Sequence, residues 1–166
     1  PLDEHVQQAM LAVVREVVQR YSSHRSLDGL ALQLGADGYA QLPGAEWGMD
    51  DRTIERFQRD THIQVPGGEG PDRYARRAQF LLNEQRPAWL KWRAETMAAF
   101  YQRMQAEVAA VRPGAKLYLA GSGLFDGANA RYWLHPSMPQ RTKLGQVLLE
   151  LGIDPDHYRD DGGVVL

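Results

Sequence analysis

Apolar positions along this chain fall alternately into helical and strand-like patterns. Val6, Met10, Val13, Val14, Val17, Val18 and Tyr21 recur at three- and four-residue intervals behind Asp3, and predict an amphipathic helix of about five turns with this set facing inward. Ser22 to Ser26 ends the pattern. Leu27 to Leu34 is short and apolar on both faces, which predicts a strand buried in a parallel sheet. Residues 36–86 then predict a loop and helical excursion. Within it Asp50 caps a short helix that turns Ile54 and Phe57 inward, His62 to Gly70 is irregular, and a second short helix runs from Pro71 to Leu82.

Pro87 suits the first turn of a long helix whose inward set is Trp89, Leu90, Arg93, Met97, Phe100, Tyr101, Met104, Val108 and Val111. Arg112-Pro113-Gly114 ends it, and Lys116 to Ala120 reads as a second buried strand, followed by the glycine-rich run Gly121 to Gly127. Asn129 to Leu134 predicts one or two turns of helix. Thr142 caps another through Leu151, Gly152 ends it, and Val164 enters a third strand. The order α, β, excursion, α, β, α, β predicts an α/β fold, with parallel strands joined by right-handed crossovers and helices outside.

Composition narrows the partners. The chain has 166 residues, 43% hydrophobic and 24% charged, which suits a single α/β domain with a real core. A net charge of -2 supplies no basic field for nucleic acid. No apolar run approaches the ~20 residues that cross a bilayer, so no membrane partner is expected. The absence of cysteine removes disulfides and thiolate chemistry without choosing a compartment. The opening Pro1-Leu2-Asp3 and the close on Gly162 to Leu166 suggest a central piece of a longer protein.

Leu30 to Leu34, Asp37-Gly38-Tyr39 with Pro43-Gly44-Ala45-Glu46-Trp47-Gly48, Asp50 to Phe57 and Thr61 to Pro66 together resemble bacterial glycoside-hydrolase-like barrel proteins, the "family 10 glycosylhydrolase" type. Trp89 to Arg93 with Phe100-Tyr101, and Arg112 to Ala120, resemble the middle of the same barrels, so the likeness covers roughly Leu2 to Leu119. It implies a partial (β/α)8 TIM-barrel segment, a secreted or periplasmic parent and a carbohydrate ligand. Three strands do not close a barrel of eight, so an unpaired edge would favour self-association. Such glycosidases carry an acid/base Glu at the end of the fourth strand, often directly after Asn, and a carboxylate nucleophile near the seventh. The first strand here ends Gln33-Leu34-Gly35 without an Asn-Glu pair, so Asp37 or Glu46 would have to serve as the acid.

The residues themselves supply candidates. Glycoside hydrolysis needs two carboxyl groups, about 5 Å apart for retention and about 6.5 to 9.5 Å for inversion. Asp37 and Glu46 in the first loop and Asp126 in the second are the carboxylates expected at the rim, although Asp37-Gly38 and Asp126-Gly127 read more readily as turns than as catalytic acids. Tyr39 and Trp47 offer flat faces for a pyranose, with Gln33 as a further substrate contact. Trp47 as a plug between excursion and core is the plainer alternative. Buried Arg93 demands a carboxylate or carbonyl partner. The five histidines are scattered and make no metal set, and Gly121-Ser122-Gly123 lacks the spacing of a nucleophile elbow, so no metal and no cofactor is expected. Two further readings stay open. One is a non-catalytic carbohydrate-binding or structural domain on the barrel scaffold. The other is an open-sheet phosphosugar enzyme with phosphate at Gly121 to Gly123.

Overall fold

Asp3 and Asp50 start helices for the same reason, since each carboxylate satisfies backbone N–H groups that a first helical turn leaves open. Asp3 Oδ1 accepts from His5 N at 2.8 Å and Val6 N at 3.2 Å, opening α1 (Glu4–Tyr21). Asp50 Oδ1 accepts from Thr53 N at 3.0 Å and opens α2 (Asp51–Thr61). The computed structural model describes residues 1–35, 37–126 and 143–166. The turn expected at Asn129 to Leu134, the Thr142 cap, His135 and Gly127 lie outside the described residues.

The remaining elements are β1 (Gly29–Gly35), α3 (Asp72–Gln79) continued by a π-helical turn (Phe80–Glu84), α4 (Arg86–Val111), β2 (Lys116–Gly123), α5 (Leu144–Glu150), a 3-10 turn (Pro155–His157) and β3 (Val164–Val165). The strands form a parallel sheet in the order β1-β2-β3, with Leu30 opposite Leu117, Leu32 opposite Leu119 and Leu117 opposite Val164. The fold is therefore α/β, as the alternation predicts. A register shift between Gln33 and Gly35 brings Gly35 opposite Gly123.

One face of this sheet meets the helices. Leu34, Leu117, Leu119 and Val164 are buried in the core shared with α4, and Leu30 and Leu32 pack against it. On the opposite face Ala31, Gln33 and Lys116 are exposed and Tyr118, Ala120 and Val165 half-exposed. This corrects the expectation that the first strand is buried on both sides. Its alternate small and polar positions, Ala31 and Gln33, already fit a strand covered on one face.

The inward stripe of α1 also needs correction. Its buried residues are Gln7, Leu11, Val14 and Val18, whereas Val13 is 61% exposed, Tyr21 50% and Val17 36%. Two apolar stripes run along this helix one residue apart, hence about 100° apart around the axis, and only one turns toward α4. Gln7 belongs to the buried stripe because its amide is occupied, donating to the Pro1 carbonyl and accepting from Arg103. A bidentate pair, Arg15 Nε to Glu107 Oε2 at 2.7 Å and Nη2 to Oε1 at 2.5 Å, ties the helices together.

Helix α4 is central. Every expected inward residue is buried except Val111, which is half-buried. Phe57 of α2 sets its ring edge against Trp89 and Trp92, both at 5.3 Å, while those two indoles stack at 5.4 Å. Asp51 Oδ1 holds the buried Arg77 Nη2 at 2.6 Å and fixes α3 to the start of α2. The second excursion helix is found where expected, but from Phe80 it changes from α to π winding, and Leu81 of that turn is buried in the core. At the end of α5, Gly152 takes φ +74 and Ile153 N reaches back to Leu148 O at 2.9 Å, as a Schellman end requires.

Candidate functional site

Parallel strands present ligands at their carboxyl ends, and the segment leaving β1 there alternates between anchored and displayed residues. Ala40, Gln41, Leu42, Gly44, Ala45 and Met49 are buried. Between them Asp37, Tyr39, Glu46 and Trp47 are exposed. The anchors are backbone carbonyls held by side chains of the helices. From α4, Tyr101 Oη donates to Ala40 O at 2.5 Å, Trp89 Nε1 to Ala45 O at 2.8 Å, and Arg93 Nη2 to Gly44 O. Arg77 Nη1 donates to Met49 O at 2.9 Å.

Arg93 thus finds carbonyl partners, as a buried guanidinium must. Its Nη1 donates to Glu150 O at 3.0 Å, so one side chain joins this loop to the end of α5, beside the Arg86–Glu150 ion pair. Burial lowers its pKa to about 10, opposed by the negative charges of Glu150 and Glu46. Tyr101, also buried, has its hydroxyl pKa pushed well up.

An open cavity of about 660 Å³ lies between this loop and the first turns of α1 and α2, lined among others by Asp37, Tyr39, Gln41, Trp47, Asp50 and Thr53. Tyr39 is 68% exposed and Trp47 58%, so Trp47 is not the plug of the plainer reading. Trp89 fills that place instead, wholly buried. Gly48 takes φ +95 beside Trp47, and a Cβ there would meet Leu2 Cδ1 at 2.9 Å, so the turn that displays the indole needs glycine.

The other candidates stand outside the cavity lining. Gln33 Nε2 donates to Ser122 Oγ at 2.9 Å across the strand ends, which gives Ser122 a structural partner. Asp126 is close by, since a Cβ on Gly123 would lie 3.3 Å from Gln33 Nε2 and 3.4 Å from Asp126 Oδ2. Glu46 folds back over its own turn, with both carboxylate oxygens within 2.7 Å of where a Gly44 Cβ would be. The geometry therefore gathers Asp37 with Tyr39 and Trp47, and Asp126 with Gln33. Both aspartates also sit in turns, Gly38 N reaching Gly35 O at 3.1 Å and Asp126 N reaching Gly123 O at 3.2 Å.

Gln41 escapes sequence reasoning. It is wholly buried, donates through Nε2 to Leu124 O at 3.3 Å, and among the described residues its Oε1 accepts nothing. A buried acceptor left unpaired costs about 1–3 kcal/mol, which marks the position as unusual. Its only sequence signal is one polar residue between Ala40 and Leu42. Among the described residues no group of three or more His, Asp or Glu is placed to hold a metal ion. No helix among them is long and apolar enough to cross a membrane. Comparisons with protein-family models, curated proteins and solved structures gave no match.

Proposed function

We propose that this chain is part of the wall of a glycoside-hydrolase-like (β/α)8 barrel and that the cavity beyond β1 binds carbohydrate. The observation that carries the reading is the pair of exposed aromatics, Tyr39 and Trp47, set with Asp37 around one open cavity. Flat rings receive the apolar face of a pyranose, and neighbouring carboxylates accept from its hydroxyls. Strand order supports the barrel. Parallel strands in sequential order with right-handed crossovers keep all connecting helices on one face, as in a barrel wall, whereas a doubly wound sheet reverses its order at a switch point. The exposed face, with Ala31, Gln33, Tyr118 and Ala120, would then be the barrel interior.

The same topology weakens the phosphosugar reading, because sequential order leaves no switch point at Gly121 to Gly123. Hydrolysis requires two carboxyl groups facing one bond. Asp37 lines the cavity, Asp126 stands at the end of the adjacent strand, and Glu46 faces its own turn. The arrangement favours recognition over turnover, with Asp37 and Asp126 as the pair through which a hydrolytic role is tested. The experiment is retardation in native gels containing soluble glucan, xylan or mannan, run beside an assay for released reducing ends. Retardation of the wild type that survives in Asp37→Asn and Asp126→Asn is the expected result for a binder. Reducing ends released by the wild type and abolished in either variant would instead establish hydrolysis. Migration unchanged by every polysaccharide would refute the carbohydrate reading.

A further inference from the structure

We propose that Tyr101 is a positioning residue for this cavity, its buried hydroxyl fixing the backbone beside Tyr39 so that the Tyr39 ring stands ready for a ligand. The inference rests on the carbohydrate reading for what the ring receives, while the geometry it invokes lies in the protein alone. Residues 37–50 contain no helix or strand, so no ladder of backbone hydrogen bonds holds them. Side chains hold them instead. Tyr101 is wholly buried in α4 and donates to Ala40 O at 2.5 Å, one residue from Tyr39. Ala40, Gln41 and Leu42 are buried behind that bond, whereas Tyr39 is left 68% exposed in the cavity lining.

Tyr101 is not itself in that lining, so its effect on a ligand passes through the loop. A ligand that stacks on a loose ring must order the ring's backbone as it binds, and its affinity falls by the fraction of time the backbone spends in the right place. Trp47 has a tether of its own, because Ala45 O accepts from Trp89 Nε1 at 2.8 Å. The two rings are thus held by different residues of α4, and the Tyr101 bond acts on Tyr39. Its ring also packs against Tyr158, with centroids 6.2 Å apart, so Tyr101→Phe removes the tether and keeps the packing.

The test combines calorimetric titration with cello-, xylo- and chito-oligosaccharides and backbone amide order parameters from NMR relaxation. Tyr101→Phe is expected to bind about fivefold more weakly than the wild type, in keeping with one lost hydrogen bond. The same change should make less than about a twofold difference in a Tyr39→Ala background and about fivefold in a Trp47→Ala background, since only Tyr39 is held through Tyr101. A general loss of structure would weaken all three backgrounds alike, and that result overturns the role while leaving the carbohydrate reading standing. Order parameters at Tyr39, Ala40 and Gln41 should lie near ~0.85 in the wild type, as for rigid backbone, and fall toward ~0.6 in Tyr101→Phe. Wild-type values already below ~0.6 overturn the role even if the variant does not fold. A wild type that binds none of the oligosaccharides, yet shows this rigidity and its loss in Tyr101→Phe, overturns the carbohydrate reading and leaves the positioning role standing.

Discussion

Arg93 sets the terms at the scale of single residues. Its guanidinium is wholly buried and donates through Nη1 and Nη2 to the carbonyls of Glu150 and Gly44, while Nε has no partner among the described residues, and Trp89 lies beneath it at 5.6 Å. Arg93→Met would strand both carbonyls, and we expect a loss of about 2–4 kcal/mol in urea denaturation, reduced because a desolvated cation is also removed. A loss below ~1 kcal/mol would mean that the carbonyls find other donors. Tyr101 makes a pH prediction. Burial raises its hydroxyl pKa, so above about pH 10 the unfolded chain releases this proton first and stability falls as pH rises. Arg93, with its pKa lowered, acts in the opposite sense over the same range. Tyr101→Phe should therefore be less stable at neutral pH and show a shallower alkaline decline than the wild type; parallel declines would contradict this. At this scale the sequence revealed that Arg93 points inward and needs a partner, because its neighbours at helical spacing are apolar. It could not reveal that the partners are carbonyls, which every residue carries. Gln41 was illegible for a related reason, since burial of one glutamine follows from a loop path that no periodicity encodes.

Elements were legible where local chemistry decides them. The Asp3 and Asp50 caps, the Gly152 end and the inward face of α4 all follow from short-range rules, and they hold. The π turn at Phe80–Glu84 does not, because it accommodates Leu81 in a core built from distant segments. Helix α1 shows the limit most clearly. Seven apolar residues make one broad predicted stripe, yet packing against α4 selects Leu11, Val14 and Val18 with Gln7. Val13→Glu should accordingly change stability by no more than about 0.5 kcal/mol, whereas Leu11→Ala should cost about 2–5 kcal/mol. Equal losses in thermal unfolding would show that the outer stripe is packed against something in solution.

For the whole molecule, the alternation of patterns discloses a parallel α/β sheet, and the structure adds that, among the described residues, the helices pack on one face of it. The candidate site was legible in part. The loop after the first strand was singled out by its aromatics and acids, and Asp37, Tyr39 and Trp47 do share a cavity. Glu46 and Asp126 read the same way in sequence but lie outside that lining, because side-chain direction in a turn depends on backbone angles that residue type does not fix. The central claim is that the cavity recognises carbohydrate through its exposed aromatics. Its most direct test is calorimetric titration of the wild type and Trp47→Ala with the same oligosaccharides, with the unfolding midpoint of each protein measured alongside. The account predicts saturable binding by the wild type and at least tenfold weaker binding by the variant at an unchanged midpoint, as loss of about 1.4 kcal/mol of stacking implies. Equal affinity in the two proteins, or none in the wild type, would contradict it.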